Sequence, residues 1–190
     1  LRLLVSPLRK ETAELSLPST AATTDAVGKA LQKWADDCQR NEKNLAVFYI
    51  AGHGLVLGDG ASIVFLADAL LKGNRYQGSI GVDTVAKVMG LCSAKDNIYV
   101  YDFCRVRKVT ALPPLCGVSL DPDRFSQNTE KMRRKTAVFI AAARVGTSAY
   151  AIGEDGTLLS RGPLGLFRGY TGDDALLLTA GEIIDNRDYG

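Results

Sequence analysis

The fold is decided by residues 45–54, LAVFYIAGHG, an apolar run that ends in Gly-His-Gly. Seven consecutive apolar residues, several of them β-branched or aromatic, predict a buried central strand of a parallel sheet. The two glycines permit a tight turn and a close approach of the backbone. Because ligands bind at the carboxyl ends of strands in open parallel sheets, we expect His53 at a functional site. His53 is also the only histidine in the sequence, so any chemistry that needs a histidine must use it.

A second apolar run, residues 97–105 (NIYVYDFCR), repeats this arrangement and leads into a cysteine. It predicts another short strand, with Cys104 close to its carboxyl end. A histidine and a cysteine at the ends of two strands can become neighbours across the edge of a sheet. A free thiol, with a pKa of about 8.5, is a weak nucleophile until an adjacent base or cation activates it. The two strand ends together indicate a dyad of Cys104 and His53.

The motifs FYIAGHG at residues 48–54 and YDFCR at residues 101–105 resemble those of the caspase-like cysteine peptidases. This clan includes caspases, metacaspases, paracaspases and many bacterial relatives, and caspases have a similar spacing of about 50 residues between the two motifs. The resemblance covers the chain from about Val5 to its end, and we expect a bacterial caspase-like protein. It implies an α/β fold, a caspase-like three-layer sandwich in which helices flank a mostly parallel central sheet, and a single peptidase domain over residues 1–190.

The order of the predicted strands and helices indicates the fold class and where the domain begins and divides. Apolar strands alternate with amphipathic helices, as in a doubly wound α/β sheet. The sheet of the clan normally starts with a strand before the one predicted at Leu1–Val5. We therefore expect a fragment that lacks the first strand; the alternative is that Leu1–Val5 is that strand. Residues 106–135 show no periodicity and correspond by resemblance to a flexible linker between large- and small-subunit-like parts, or else to a solvated basic loop without a regulatory role.

The resemblance implies a cysteine endopeptidase that hydrolyses peptide bonds in protein substrates. Cys104 would attack the scissile carbonyl as a thiolate, and His53 would protonate the leaving amine and then activate water. The backbone N–H groups of Gly54 and Cys104 are the candidate oxyanion hole, since glycine lets its amide turn toward the substrate. In bacterial relatives such enzymes often serve in defence or cell death, and that role is an analogy.

Asp102 is the candidate substrate-binding residue. It lies two residues before Cys104, so alternation along a strand places both side chains on one face. In metacaspase-like proteins the matching aspartate helps to select Arg or Lys before the cut, and by resemblance the same preference is expected here. The alternatives are that Asp102 pairs with Arg105 or Arg144, or that Arg105, Arg144 and Arg161 assemble a site for cleavage after aspartate.

A preference for basic residues would make the tract around Arg133, Arg134 and Lys135 a candidate self-cleavage site. A catalytically silent or latent caspase-like domain, acting as a regulator or scaffold, is the alternative function. A nucleotide- or effector-binding α/β domain is a weaker alternative, because no GxGxxG or Walker-type loop follows any predicted strand.

Charge, apolar run length and cysteine spacing limit the classes of partner and cofactor that we expect. A net charge of +2 gives no case for nucleic acid or an anionic membrane as the partner, and no apolar run approaches the roughly 20 residues that span a bilayer. The four cysteines include no CxxC pair, so a zinc site would have to recruit scattered cysteines, and we expect no metal and no other cofactor. A reducing, cytoplasmic setting suits a working thiol. The expected partners are a protein or peptide substrate and an activating partner or additional domain.

Overall fold

The computed structural model describes residues 20–108, 116–123, 125, 135–149 and 159. Its helices and strands are, in chain order, α1 (Thr24–Gln39), β1 (Leu45–Gly52), β2 (Gly54–Leu57), β3 (Ser62–Phe65), β4 (Ser79–Gly81), α2 (Val82–Met89), β5 (Asp96–Phe103), β6 (Arg107–Lys108) and β7 (Thr136–Ala141). Two short 3₁₀ turns, Ala69–Leu71 and Arg75–Gly78, lie between β3 and β4. The predicted strand Leu1–Val5 lies outside the described residues.

The main sheet consists of β1, β5 and β7, all parallel, with β5 in the middle. The expectation that β1 is a central strand buried on both faces is wrong for the described sheet, in which β1 lies at the edge. Every second residue of β1 is exposed: Leu45 at 56%, Val47 at 49% and Tyr49 at 51%. We call the side of the sheet that carries these residues the Tyr49 face.

Both α-helices pack against the opposite side of the main sheet, here called the helix face. Trp34 of α1 contacts Phe48 with ring centroids 5.7 Å apart, and the Tyr101 hydroxyl donates to the Val82 carbonyl at the start of α2 at 3.3 Å. Buried aliphatic residues of both helices join the buried aromatic residues of β5 in one core cluster. The described part of the chain is therefore an α/β structure with a mostly parallel main sheet, and its two α-helices share one face.

The start of α1 is held by two residues. The Thr23 side chain accepts a hydrogen bond from the Ala26 N–H at 3.4 Å and caps the helix. Thr24 donates to Asp68 twice, from its N–H at 3.0 Å and from its hydroxyl at 2.7 Å. Asp68 follows β3, so this carboxylate fixes the loop after β3 to the first turn of α1.

A small sheet in the order β4-β3-β2-β6 continues from the carboxyl end of β1. β2 and β3 form an antiparallel hairpin in which Gly54 is opposite Val64, and β6 pairs in parallel with β2. This hairpin directly follows His53, so the small sheet determines where the His53 turn lies.

Part of the predicted linker, residues 106–135, is packed against the small sheet. β6 lies within it, and the Val118 N–H donates to the Ser79 carbonyl at 3.0 Å. Val118, Leu120 and Phe125 are each at most 3% exposed, because they extend the core beside β4. The division of the chain into large- and small-subunit-like parts at residues 106–135 stays a prediction.

Candidate active site

His53 lies in the turn between β1 and β2, with a glycine on each side. Gly52 has a φ of +147°, a backbone conformation that L residues with a Cβ rarely adopt. Gly54 is needed for a different reason, since a Cβ there would overlap the ring of Phe103. The carbonyl of His53 accepts from the Phe65 N–H at 2.8 Å. These contacts fix the backbone of the turn close to Phe103 and β3, and the His53 side chain is exposed.

Cys104 is the first residue after β5, and the register of the parallel pair β1–β5 fixes its place. Gly52 and Phe103 are the last register partners of that pair. His53 and Cys104 therefore follow by one residue each, at the same edge of the main sheet. The half-buried Cys104 donates a weak hydrogen bond to the Ala149 carbonyl, with Sγ and O 3.8 Å apart. The topology thus brings the predicted nucleophile and the predicted base to neighbouring backbone positions.

The segment after β7 lies beside the predicted nucleophile. Arg105 donates from its N–H to the Thr147 carbonyl at 2.9 Å and accepts from the Gly146 N–H at 2.8 Å. This pair of backbone bonds fixes residues 144–149 next to Cys104. Of these residues, only Arg144 was among the candidates predicted from the sequence. Gly146 and Thr147 follow the apolar run of β7, which is parallel to β5, and residues that follow parallel strands reach the same edge of a sheet.

Asp102 lies near the end of β5 and is only 2% exposed. Its Oδ2 accepts a hydrogen bond from the Tyr49 hydroxyl at 3.0 Å. Tyr49 is the register partner of Val100, so Tyr49 and Asp102 both project on the Tyr49 face. Burial, together with the charge of Asp102 and the hydrogen bond to it, raises the pKa of Tyr49 above its usual value. Tyr49 was not among the site residues predicted from the sequence, although alternation along the first motif places it on this face.

The side chain of Arg105 extends toward the small sheet and α2. Its Nη2 donates to the Ser62 hydroxyl at 3.4 Å, and the Ser62 N–H donates to Asp83 at 2.6 Å. The Arg105 Nε is buried and has no hydrogen-bond partner among the described residues. Arg105 therefore contributes to packing between the end of β5, β3 and α2.

The three predicted cleavage residues are placed only in part. Arg133 and Arg134 lie outside the described residues. Lys135 directly precedes β7 and is half-buried, and its Nζ donates to the Cys92 carbonyl. Burial lowers the pKa of Lys135 below its usual value. Lys135 lies at the amino-terminal edge of the main sheet, and the eight residues of β5 span about 23 Å from there to the candidate site.

A comparison with protein-family models finds no match to the chain, and a comparison with curated proteins finds none either. Among the residues that the structure describes, no group of three or more His, Cys, Asp or Glu side chains is arranged to hold a metal ion. Within the same ranges no helix is long and apolar enough to cross a bilayer. What the protein does is therefore inferred from His53, Asp102 and Cys104 and from the residues around them.

Proposed function

We propose that the protein is a caspase-like cysteine endopeptidase that cuts peptide bonds after Arg or Lys. The observation that carries this proposal is the parallel register of β1 and β5, in which Gly52 pairs with Phe103. That register sets His53 and Cys104 side by side at the edge where parallel sheets hold their active sites. Cysteine and histidine are the two groups that acyl transfer through a thiolate requires.

In the proposed reaction the thiolate of Cys104 adds to the carbonyl carbon of the scissile bond. The resulting oxyanion accepts hydrogen bonds from the backbone N–H groups of Gly54 and Cys104. The carbon–nitrogen bond then breaks, and His53 gives its proton to the leaving amine, which leaves a thioester on Cys104. His53 next removes a proton from water, the hydroxyl adds to the thioester, and the thiolate leaves as the acid product forms.

Asp102 supplies the proposed preference for a basic residue before the cut. Its carboxylate is buried two residues from the nucleophile, where a charge has a stronger effect than it has in water. The guanidinium of Arg105 donates to the Ser62 hydroxyl, and a pair of Asp102 with Arg105 or Arg144 remains the alternative to substrate binding. A cytoplasmic location, where thiols stay reduced, and a protein or peptide substrate complete the proposal.

One contact favours a second candidate, a latent domain of the same type. The Cys104 thiol donates to the Ala149 carbonyl, and the bonds of Arg105 to Gly146 and Thr147 hold that segment in place. A substrate carbonyl would have to take the position next to the thiol. In the latent form, an activating partner or additional domain would move residues 147–149 before turnover.

Fluorogenic peptides that end in Arg or in Asp would test the proposal on the wild type, Cys104→Ala, Asp102→Asn and Cys116→Ala. We expect the Arg peptide to be cleaved, with no turnover by Cys104→Ala, a large loss in Asp102→Asn and full activity in Cys116→Ala. Cleavage of the Asp peptide would retain the dyad and contradict the preference for basic residues. Failure to cleave either peptide would favour the latent form, and activity equal in Cys104→Ala and the wild type would overturn the peptidase proposal.

A further inference from the structure

We propose that Tyr49 is a specificity-determining residue, whose hydroxyl positions the Asp102 carboxylate and whose ring forms a wall of the pocket for the basic side chain of the substrate. This inference rests on the proposed function. Tyr49 lies outside both the proposed dyad and the proposed oxyanion hole. We place recognition of the substrate residue before the cut on the Tyr49 face.

The position of Tyr49 relates it directly to Asp102. It lies on β1, diagonally across from Asp102 on β5, and its hydroxyl bonds Asp102 Oδ2 at 3.0 Å. Diagonal neighbours on adjacent strands are within reach of long aromatic side chains. β1 therefore leads into His53 and also carries Tyr49, which bonds the Asp102 carboxylate. The positions of His53 and Tyr49 relative to β5 depend on the same register.

Tyr49 and Asp102 differ strongly in exposure. Asp102 is 2% exposed, whereas Tyr49 is 51% exposed. A ligand approaching from the Tyr49 face therefore meets the tyrosine ring before it meets the carboxylate. A tyrosine that served only to fill the core would be covered, and its ring would offer no surface to a ligand.

The chemistry of the Tyr49–Asp102 pair suits a basic side chain. A hydrogen bond to a charged acceptor is shorter and stronger than one between neutral groups, and it fixes the orientation of the carboxylate. An exposed aromatic face next to a buried carboxylate suits a flat cation, because a guanidinium can stack on the ring while its tip reaches the negative charge. An ammonium has no plane to stack. We therefore infer that Tyr49 favours Arg over Lys as the residue before the cut.

Three features of Tyr49 make the hydroxyl a dependable donor. The phenol is partly desolvated, it lies next to the Asp102 charge, and it is bonded to that charge, and all three raise its pKa. It therefore stays protonated through the pH range in which a thiolate–imidazole dyad works, so the donor remains available.

The test compares Tyr49→Phe with Tyr99→Phe, which removes a hydroxyl on the helix face of the neighbouring strand. Peptides that end in Arg and in Lys are assayed with each variant. In Tyr49→Phe we expect KM for the Arg peptide to rise about tenfold, which is the effect of losing one hydrogen bond to a charged group, with kcat changed less than twofold. Tyr49→Ala should also lose the preference for Arg over Lys, and Tyr99→Phe should match the wild type.

Binding of benzamidine, a flat monocation, to the Cys104→Ala protein gives a readout that does not need turnover. Isothermal titration calorimetry should show a Kd about tenfold higher when Tyr49→Phe is combined with Cys104→Ala, and an unchanged Kd when Tyr99→Phe is combined with it. If Tyr49→Phe and Tyr99→Phe gave the same cleavage of the Arg peptide and the same affinity for benzamidine, this inference would be overturned and the peptidase proposal would stay intact. Benzamidine binding that depends on Tyr49, in a protein that cleaves nothing, would support this inference and count against the peptidase. No benzamidine binding at all would overturn it.

Discussion

Gly52 and Phe103 are register partners at the end of the parallel pair β1–β5, and this relationship determines the geometry of the candidate site. Each strand leaves the sheet one residue later, at His53 and at Cys104. A shift of the register by one residue would move every side chain of β1 to the other face. The same pairing therefore sets the neighbouring backbone positions of His53 and Cys104 and the diagonal contact of Tyr49 with Asp102.

Replacing Gly54 with alanine tests the close approach of the His53 turn to β5. A Cβ at this position would overlap the Phe103 ring and lie 2.7 Å from the Ile63 carbonyl oxygen. We expect overpacking to destabilise the fold by about 1–3 kcal/mol and to lower kcat/KM, because the turn must move away from Cys104. Urea unfolding and peptide assays measure the two effects.

Gly73→Ala is the matched control for Gly54→Ala, since a Cβ there meets no atom within 4 Å. It should leave both the free energy of unfolding and the activity close to those of the wild type. Equal behaviour of the two variants would show that the His53 turn does not need a close approach to Phe103.

The Asp68 carboxylate should make stability depend on pH. Partial desolvation opposes its charge, but the two bonds from Thr24 and the nearby Lys72 outweigh this effect, so the pKa of Asp68 is lowered. A lowered pKa in the folded state means that the stabilisation is present above the unfolded pKa of about 4 and is lost as the pH falls through the folded pKa. Asp68→Asn should be destabilised by about 1 kcal/mol at pH 7.

Urea unfolding at pH 7 and at pH 3 checks this prediction. The difference between the wild type and Asp68→Asn should shrink at pH 3, and the exposed Asp96→Asn control should show a smaller difference at pH 7. A gap between wild type and Asp68→Asn that stays constant with pH would mean that the charge of Asp68 does not hold the start of α1.

The four thiols should differ in their rates of alkylation. Burial, with the nearby Cys92 and Asp37, raises the pKa of Cys38 to about 11, and Cys92 is fully buried. Burial also raises the pKa of Cys116. With iodoacetamide at pH 8 we expect Cys104 to react first, Cys116 more slowly, and the other two only after unfolding in guanidinium chloride. Peptide mapping by mass spectrometry gives the order, and early modification of Cys38 would contradict the core packing.

Self-processing, if it follows the proposed specificity, should cut after Arg133 or Arg134 rather than after Lys135. The Lys135 ammonium is bonded to the Cys92 carbonyl at the far edge of the main sheet, whereas a residue before the cut must enter the pocket beside Asp102. Intact-mass analysis should find two products in the wild type and in Lys135→Ala, and a single chain in Arg133→Ala/Arg134→Ala. A cut that requires Lys135, or an unprocessed chain in an active enzyme, would refute this prediction.

The strand ends could be predicted from the sequence because they depend on local patterns. An apolar run followed by Gly-His-Gly defines the end of β1, and the run before Cys104 defines the end of β5. The mostly parallel sheet follows from the alternation of strands and helices. Asp102 was singled out because it lies two residues before the cysteine on the same strand.

The parts that the sequence could not provide depend on contacts between distant residues. The edge position of β1 reflects which strands join the described sheet, and the apolar run is the same for an edge or a central strand. The Tyr49–Asp102 bond depends on the register between two strands, and the Cys104–Ala149 contact depends on where the chain turns after β7. Sequence periodicity also does not predict the burial of Val118, which lies beside β4 and forms an isolated β-bridge with Ile80.

The most direct measurement is to find where an arginyl acyloxymethyl ketone attaches to the protein. The thiolate that attacks displaces the acyloxy group as a carboxylate, so the label marks the nucleophile. The account predicts a single adduct on Cys104, formed at least about 100-fold more slowly in His53→Ala and unaffected in rate by Cys116→Ala. Labelling spread evenly over Cys104 and Cys116, or an equal rate in His53→Ala and the wild type, would contradict the dyad.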